Sequence, residues 1–139
     1  VAANGGFLQK ALGLALRVFV FLGALSGFVA VAAGAFGAHA LQSRLSAEML
    51  DVWKTAAHYQ LVHSVLLVVV GVMLGARVSK LLSSAGWLLV AGVFLFSGSL
   101  YALVLSGVRT LGAVTPFGGL CFLGAWLLLA FSAFRARAS

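Results

Sequence analysis

At 139 residues, with 63% hydrophobic and only 8% charged side chains, the chain departs far from a soluble domain, in which roughly a quarter of residues are charged. Its net charge of +7 does not indicate nucleic acid, because the basic residues are scattered at the ends of apolar stretches and do not cluster with stacking aromatics on one face. A single cysteine, Cys121, excludes an internal disulfide and a thiol-rich metal site, and reads as a small packing residue.

A bilayer core about 30 Å thick needs on the order of 20 apolar residues per helix, and such spans can be laid along most of the sequence. The expected fold is all-α: one domain over residues 1–139, an integral membrane four-helix bundle with spans at about 18–40, 56–77, 81–107 and 114–134. Before the first span, Phe7, Leu8, Leu12 and Leu16 set against Lys10 and Arg17 predict a short interfacial helix over residues 1–17. The chain begins with Val1 and not Met, which suggests a processed or altered amino end. Ala38-His39-Ala40 has the small-x-small form of a cleavage site, but the uncharged run from Val18 is longer than the roughly 7–15-residue core of a secretory signal, so the helix is expected to be retained.

Ser46 is placed to cap a helix whose first turn carries Glu48, favourably near the positive end of the helix dipole. Asp51, Thr55 and His58 then fall on one side and Met49, Trp53 and Ala56 on another. This predicts a short amphipathic, interfacial helix over residues 47–57 that runs into the second span. Spans three and four are expected to be unbroken, and Thr115-Pro116 reads as a helix entry, with Thr capping and Pro tolerated in the first turn. No internal repeat or linker divides the chain.

An even number of crossings puts the amino end, the loop after span two and the carboxyl end on one side, with Lys10, Arg17, Arg77, Lys80, Arg135 and Arg137. The opposite side has Arg44, Lys54 and Arg109 together with both acidic residues, Glu48 and Asp51. Since cytoplasmic loops collect Lys and Arg, both termini are expected in the cytoplasm and the protein in a bacterial inner membrane.

Lipid tails are as apolar as leucine, so helices must associate through close backbone approach at small residues or through interhelical hydrogen bonds. Gly23 with Gly27, Ala30 with Gly34, Gly71 with Gly75 and Gly98 with Ala102 supply small residues four apart on three spans. They predict tight helix packing and a further face for a partner.

The four-span arrangement also gathers polar side chains toward the outer half: His39 from span one, His58, Tyr59, Gln60 and His63 from span two, Ser97, Ser99 and Tyr101 from span three, and Thr115 from span four. Two readings stand. These groups could take a small ligand: a metal or haem through the histidines, or a quinone headgroup in a Tyr, His and Gln rim. Alternatively they hydrogen-bond helices to one another, each bond worth about 0.6–2 kcal/mol. His58 and His63 are not at the i, i+4 spacing that chelates from one helix face, so a metal would need His39 with one of them, His63 for instance. No span carries an internal carboxylate, and no Ser-His-Asp set or phosphate-binding loop is present, which argues against proton relays and hydrolytic chemistry. A channel would need a continuous polar path through the apolar inner halves.

Four motifs carry a resemblance: Gly34-Ala-Phe-Gly-Ala-His-Ala-Leu41; Trp53-Lys-Thr-Ala-Ala-His-Tyr-Gln60 with His63; Phe96-Ser-Gly-Ser-Leu-Tyr101; and Thr115-Pro-Phe-Gly-Gly119. In these the chain resembles the YgdD family of small bacterial inner-membrane proteins, which has eukaryotic transmembrane relatives. The resemblance implies four spans, an inner-membrane address and signature positions at His39, His58, Tyr59, Gln60, His63, Ser97, Tyr101 and Thr115, while implying no activity. The cofactor is left unassigned. The expected role is that of a non-enzymatic structural or accessory subunit whose partners are the bilayer and either a second copy or a larger, for example respiratory, membrane complex. The alternative is the small-ligand site.

Overall fold

The computed structural model describes residues 2–135, and every regular element in them is helical. Val1 and residues 136–139, with Arg137 of the charge tally, lie outside the described residues. Helix α1 covers Ala2–Phe36 and closes with a π-turn at Gly37–Leu41; α2 covers Ala47–Ala76. Helix α3 (Lys80–Gly92) passes through a π-bulge at Val93–Gly98 into α4 (Ser99–Ser106). A 3-10 turn at Arg109–Ala113 then leads into α5, Thr115–Arg135. Among the described residues 4 helical segments are long and apolar enough to cross a membrane: Gly5–Leu41, Ala47–Ala76, Lys80–Ser106 and Arg109–Arg135.

Local chemistry explains most boundaries. The Ser46 hydroxyl accepts from the Met49 N–H at 3.2 Å and starts α2, as expected from its sequence. Ser79 does the same for α3 through the Leu82 N–H at 3.3 Å. Gly107, at φ 73°, ends α4: this left-handed conformation suits glycine, and its N–H closes onto the Leu103 carbonyl at 2.8 Å.

Two expectations need correction. The interfacial helix over 1–17 is not separate, because no proline or capping residue stands between Lys10 and Val18 and the helical hydrogen bonding of α1 simply continues. The segment 47–57 runs directly into the rest of α2, as expected, and its sidedness holds: Trp53 and Ala56 are buried while Asp51, Thr55 and His58 are exposed. The third crossing is not a uniform helix, since the π-bulge inserts an extra residue into its ladder.

Helices α1 and α2 form an antiparallel pair seated on small residues. A methyl group added at Gly23 would lie 2.7 Å from Val68 Cγ2 and 2.9 Å from the Ser64 carbonyl oxygen; at Gly71 it would lie 3.0 Å from Val20, and at Gly75 3.1 Å from Leu16. Gly27 is looser, 3.7 Å from Ser64 Cβ. Gly34 and Gly98 seat no neighbouring helix: Gly34 is on the exposed side of α1 with nothing within 4 Å, and Gly98, inside the π-bulge, meets only the Val93 carbonyl of its own segment at 3.8 Å. The second pair, α3–α4 with α5, is seated on Gly92, beneath the Phe122 ring, and Gly118, which lies against the backbone of Leu95 and Phe96. Gly86 receives the Phe19 ring of α1.

Helix α2 packs along α1 and against α3 and α4, and reaches α5 through side chains, where His63 stacks on Phe122, while α1 meets α3 chiefly where Phe19 seats on Gly86. One apolar core (Phe19, Leu67, Val70, Leu74, Leu82, Leu89, Phe122) lies toward the Arg77 end, and a smaller one (Leu41, Trp53, Leu103, Val104) lies at the other.

Candidate functional site

The polar side chains converge on α2 but divide between two of its faces. On the α1 side, Gln60 is 5% exposed. Its Nε2 donates to the Ser26 carbonyl at 3.1 Å and approaches the Ser26 hydroxyl at 3.3 Å, while its Oε1 accepts from the Tyr101 hydroxyl at 2.8 Å. Ser64 lies one turn further along, with its Oγ 2.6 Å from the Gln60 carbonyl and 2.7 Å from the Ser26 hydroxyl. Above this network the Trp53 indole donates to the Ala33 carbonyl at 2.8 Å, and its ring lies 4.7 Å from that of Tyr101. One glutamine thereby ties α1, α2 and α4 together.

The π-bulge contributes a second set of bonds. Ser97, fully buried, donates to the Ala56 carbonyl of α2 at 2.8 Å. Ser99 shares a 2.7 Å hydrogen bond with Thr115 of α5. Thr115 is already the first residue of α5 and its hydroxyl bonds to Ser99; the role expected of it was a cap, and the close seat of α5 on the bulge at Gly118 explains the difference. Pro116 does stand in the first turn.

The opposite face of α2 is aromatic. His63, 5% exposed, stacks on Phe122 with centroids 3.5 Å apart and planes 8° from parallel. Tyr59 stacks on Phe96 at 4.5 Å and 28°, and lies 17° from the plane of His63. Both imidazole nitrogens are engaged: Nδ1 with the Tyr59 carbonyl at 2.7 Å, and Nε2 as acceptor from the Trp126 indole at 3.3 Å. Since a carbonyl only accepts, Nδ1 must carry the proton.

This depth corrects the sequence reading, which gathers both histidines of α2 in the outer half of the bundle. His63 packs against Trp126, midway along α5, so it lies well inside the bundle. The three histidines do not share a site. His39 is exposed on the π-turn, and His58 is exposed with its ring edge-on to Tyr59 at 6.1 Å. Among the described residues no three His, Cys, Asp or Glu side chains come together as metal ligands.

Sequence reasoning missed Ser26, Ser64, Phe96, Phe122 and Trp126. Two of these had a readable signal: Ser26 lies between Gly23 and Gly27 on the packing face of α1, and an indole N–H in mid-span, as at Trp126, demands a partner.

Four apolar crossings, seated on glycine and cross-linked by buried hydroxyl and amide groups, define a small polytopic α-helical membrane protein. The family described as "Protein of unknown function (DUF423)" matches residues 33–119. A UPF0382 membrane protein of Staphylococcus haemolyticus is 47% identical over 120 residues, which cover 86% of this chain and 98% of the relative. One of Staphylococcus saprophyticus is 45% identical over 120 residues (86% and 99%), and YwdK of Bacillus subtilis, also a UPF0382 membrane protein, is 40% identical over 122 residues (86% and 98%). The chain belongs to the DUF423 family. No solved structure matches it.

Proposed function

We propose that the protein is a non-enzymatic accessory subunit of a bacterial inner membrane, packing against a second copy or a larger membrane complex such as a respiratory one. The observation that carries this reading is the closure of its polar interior. Every buried side-chain nitrogen or oxygen among the described residues has a hydrogen-bond partner, so Gln60, Ser97, Ser99, Tyr101 and Thr115 hold helices together and are not poised for chemistry. The relatives carry membrane-protein names without an enzyme name, in keeping with this role. The narrower YgdD-like affiliation rests on the motifs quoted above.

Both termini lie in the cytoplasm in this proposal. Support comes from Lys10, Arg17, Arg77, Lys80 and Arg135 at one end of the crossings and Glu48 and Asp51 at the other. An alkaline phosphatase fusion at the carboxyl end is expected to be inactive; an active fusion overturns the orientation. Crosslinking in intact membranes, followed by mass spectrometry, is expected to recover a discrete partner or dimer, and recovery of the isolated monomer alone contradicts the accessory role.

A second reading, a small-ligand site, is favoured by one observation: the aromatic face of α2 borders a groove that opens sideways between α2 and α5. With both nitrogens of His63 engaged, that face suits a neutral ligand better than a haem or a metal ion.

A further inference from the structure

The groove between α2 and α5 is half-open, offers ≈ 440 Å³ and is lined by Tyr59, His63, Phe96, Gly119, Leu123 and Trp126, with Pro116 and Leu120 at its outer edge. It faces the bilayer: Leu120 and Leu123 are each 64% exposed and Tyr59 41%. Along α5 it runs from Pro116, in the first turn, to Trp126 at mid-helix, which is the path from headgroups to the middle of the membrane. Anything that occupies it arrives through lipid. Its size lies within the roughly 300–1,000 Å³ of small-molecule sites.

The wall chemistry narrows the occupant. No charged side chain lines the groove, so the ligand is neutral. The rings of Tyr59, His63 and Phe122 lie close to parallel (17° for Tyr59 with His63, 8° for His63 with Phe122), forming a layered surface on which a further flat ring can stack. The hydrogen-bonding capacity left over belongs to one donor. Among the described residues the Tyr59 hydroxyl makes no hydrogen bond, and lipid tails offer it no acceptor. The Trp126 N–H is taken by His63 at 3.3 Å. Gly119 keeps the wall low, since a methyl group there would meet only Phe96 Cδ2, at 3.9 Å.

A flat, neutral, lipid-soluble molecule that presents hydrogen-bond acceptors satisfies all of these conditions. We infer that the groove binds a quinone, with its ring against the Tyr59–Phe96 pair, a carbonyl oxygen accepting from the Tyr59 hydroxyl, and its tail leaving past Leu120 into the bilayer. This rests on the small-ligand reading and is independent of the accessory role. It assigns binding to Tyr59 and Phe96 and leaves His39, His58, Ser97, Tyr101 and Thr115 outside the site.

The test uses the full chain in nanodiscs of ester-linked phosphatidylcholine, titrated with decylubiquinone while tryptophan fluorescence is followed. The expected result is a saturable component at about one quinone per protein above the linear background of partitioning. Tyr59→Phe should weaken it about three- to tenfold, as one lost hydrogen bond of about 1 kcal/mol requires. Leu120→Phe, a change on the exposed edge that adds no tryptophan and should leave the fold intact by circular dichroism, should weaken it as well. Quenching that is linear, and equal in wild type and both variants, overturns the proposal. Saturable binding that appears only when the nanodiscs are made of ether-linked lipid also overturns it, because the groove would then belong to a phospholipid ester carbonyl. Neither result bears on the crosslinking test of the accessory role.

Discussion

The two faces of α2 use polar groups in opposite ways. Toward α1 and α4, Gln60 spends both ends of its amide on neighbours, and the two serines beside it close the remaining bonds within the bundle. Toward α5, His63 and Tyr59 are held mainly by stacking, and a phenolic hydroxyl remains without a partner among the described residues. In a medium that supplies no hydrogen bonds, the first arrangement is a fastener and the second is an opening. Residues four apart or fewer on one helix, Tyr59, Gln60 and His63, thus serve different ends because they point at different neighbours.

The strongest way to break this comparison is to unseat α5. Gly118→Leu forces a side chain into the backbone of the π-bulge, and should cost about 3 kcal/mol or more in SDS-induced unfolding, whereas Gly34→Leu, where nothing lies within 4 Å, should change stability by less than about 0.5 kcal/mol. If the two cost the same, the seat is elsewhere. Gln60→Leu comes next: it strands the Tyr101 hydroxyl and removes the tie to Ser26 of α1, and should cost about 1–2 kcal/mol in the same titration. On the aromatic face, His63→Phe keeps the stack on Phe122 and loses the Trp126 bond together with the bond to the Tyr59 carbonyl of its own helix, so a smaller loss of about 0.5–1 kcal/mol is expected, with a shift in tryptophan emission. Tyr59→Phe should be smallest of all, within about 0.3 kcal/mol of wild type, because its hydroxyl anchors nothing in the fold. A large loss there would place Tyr59 among the fasteners.

Much of the architecture was legible from local chemistry. Uncharged runs of sufficient length locate all the crossings, and the Ser46 cap and the Gly23 and Gly71 seats follow from residue type and spacing. The π-bulge was not legible: Val93–Gly98 has no composition that announces an inserted residue, and the bulge is fixed by the Ala56 carbonyl that Ser97 meets on α2 and by Gly118 of α5 lying against Leu95 and Phe96. The candidate site was legible in part. Sequence picks out Gln60, Tyr101, Ser97, Tyr59 and His63, but not the division between faces, because the rotation of α2 between α1 and α5 depends on partners distant in sequence. The depth of His63 escaped for the same reason, as did its neighbour Phe122, which reads as an ordinary apolar residue of the fourth span, and the identity of the partner that the Trp126 indole demands.

The account depends most on the Gln60 amide being a bond between helices. A double-mutant cycle of Gln60→Leu with Tyr101→Phe, read by SDS-induced unfolding in lipid–detergent micelles, measures that bond directly. The structure, with the Tyr101 hydroxyl 2.8 Å from Gln60 Oε1, predicts a coupling of about 0.6–1.7 kcal/mol. Additive effects, agreeing within about 0.3 kcal/mol, would contradict it.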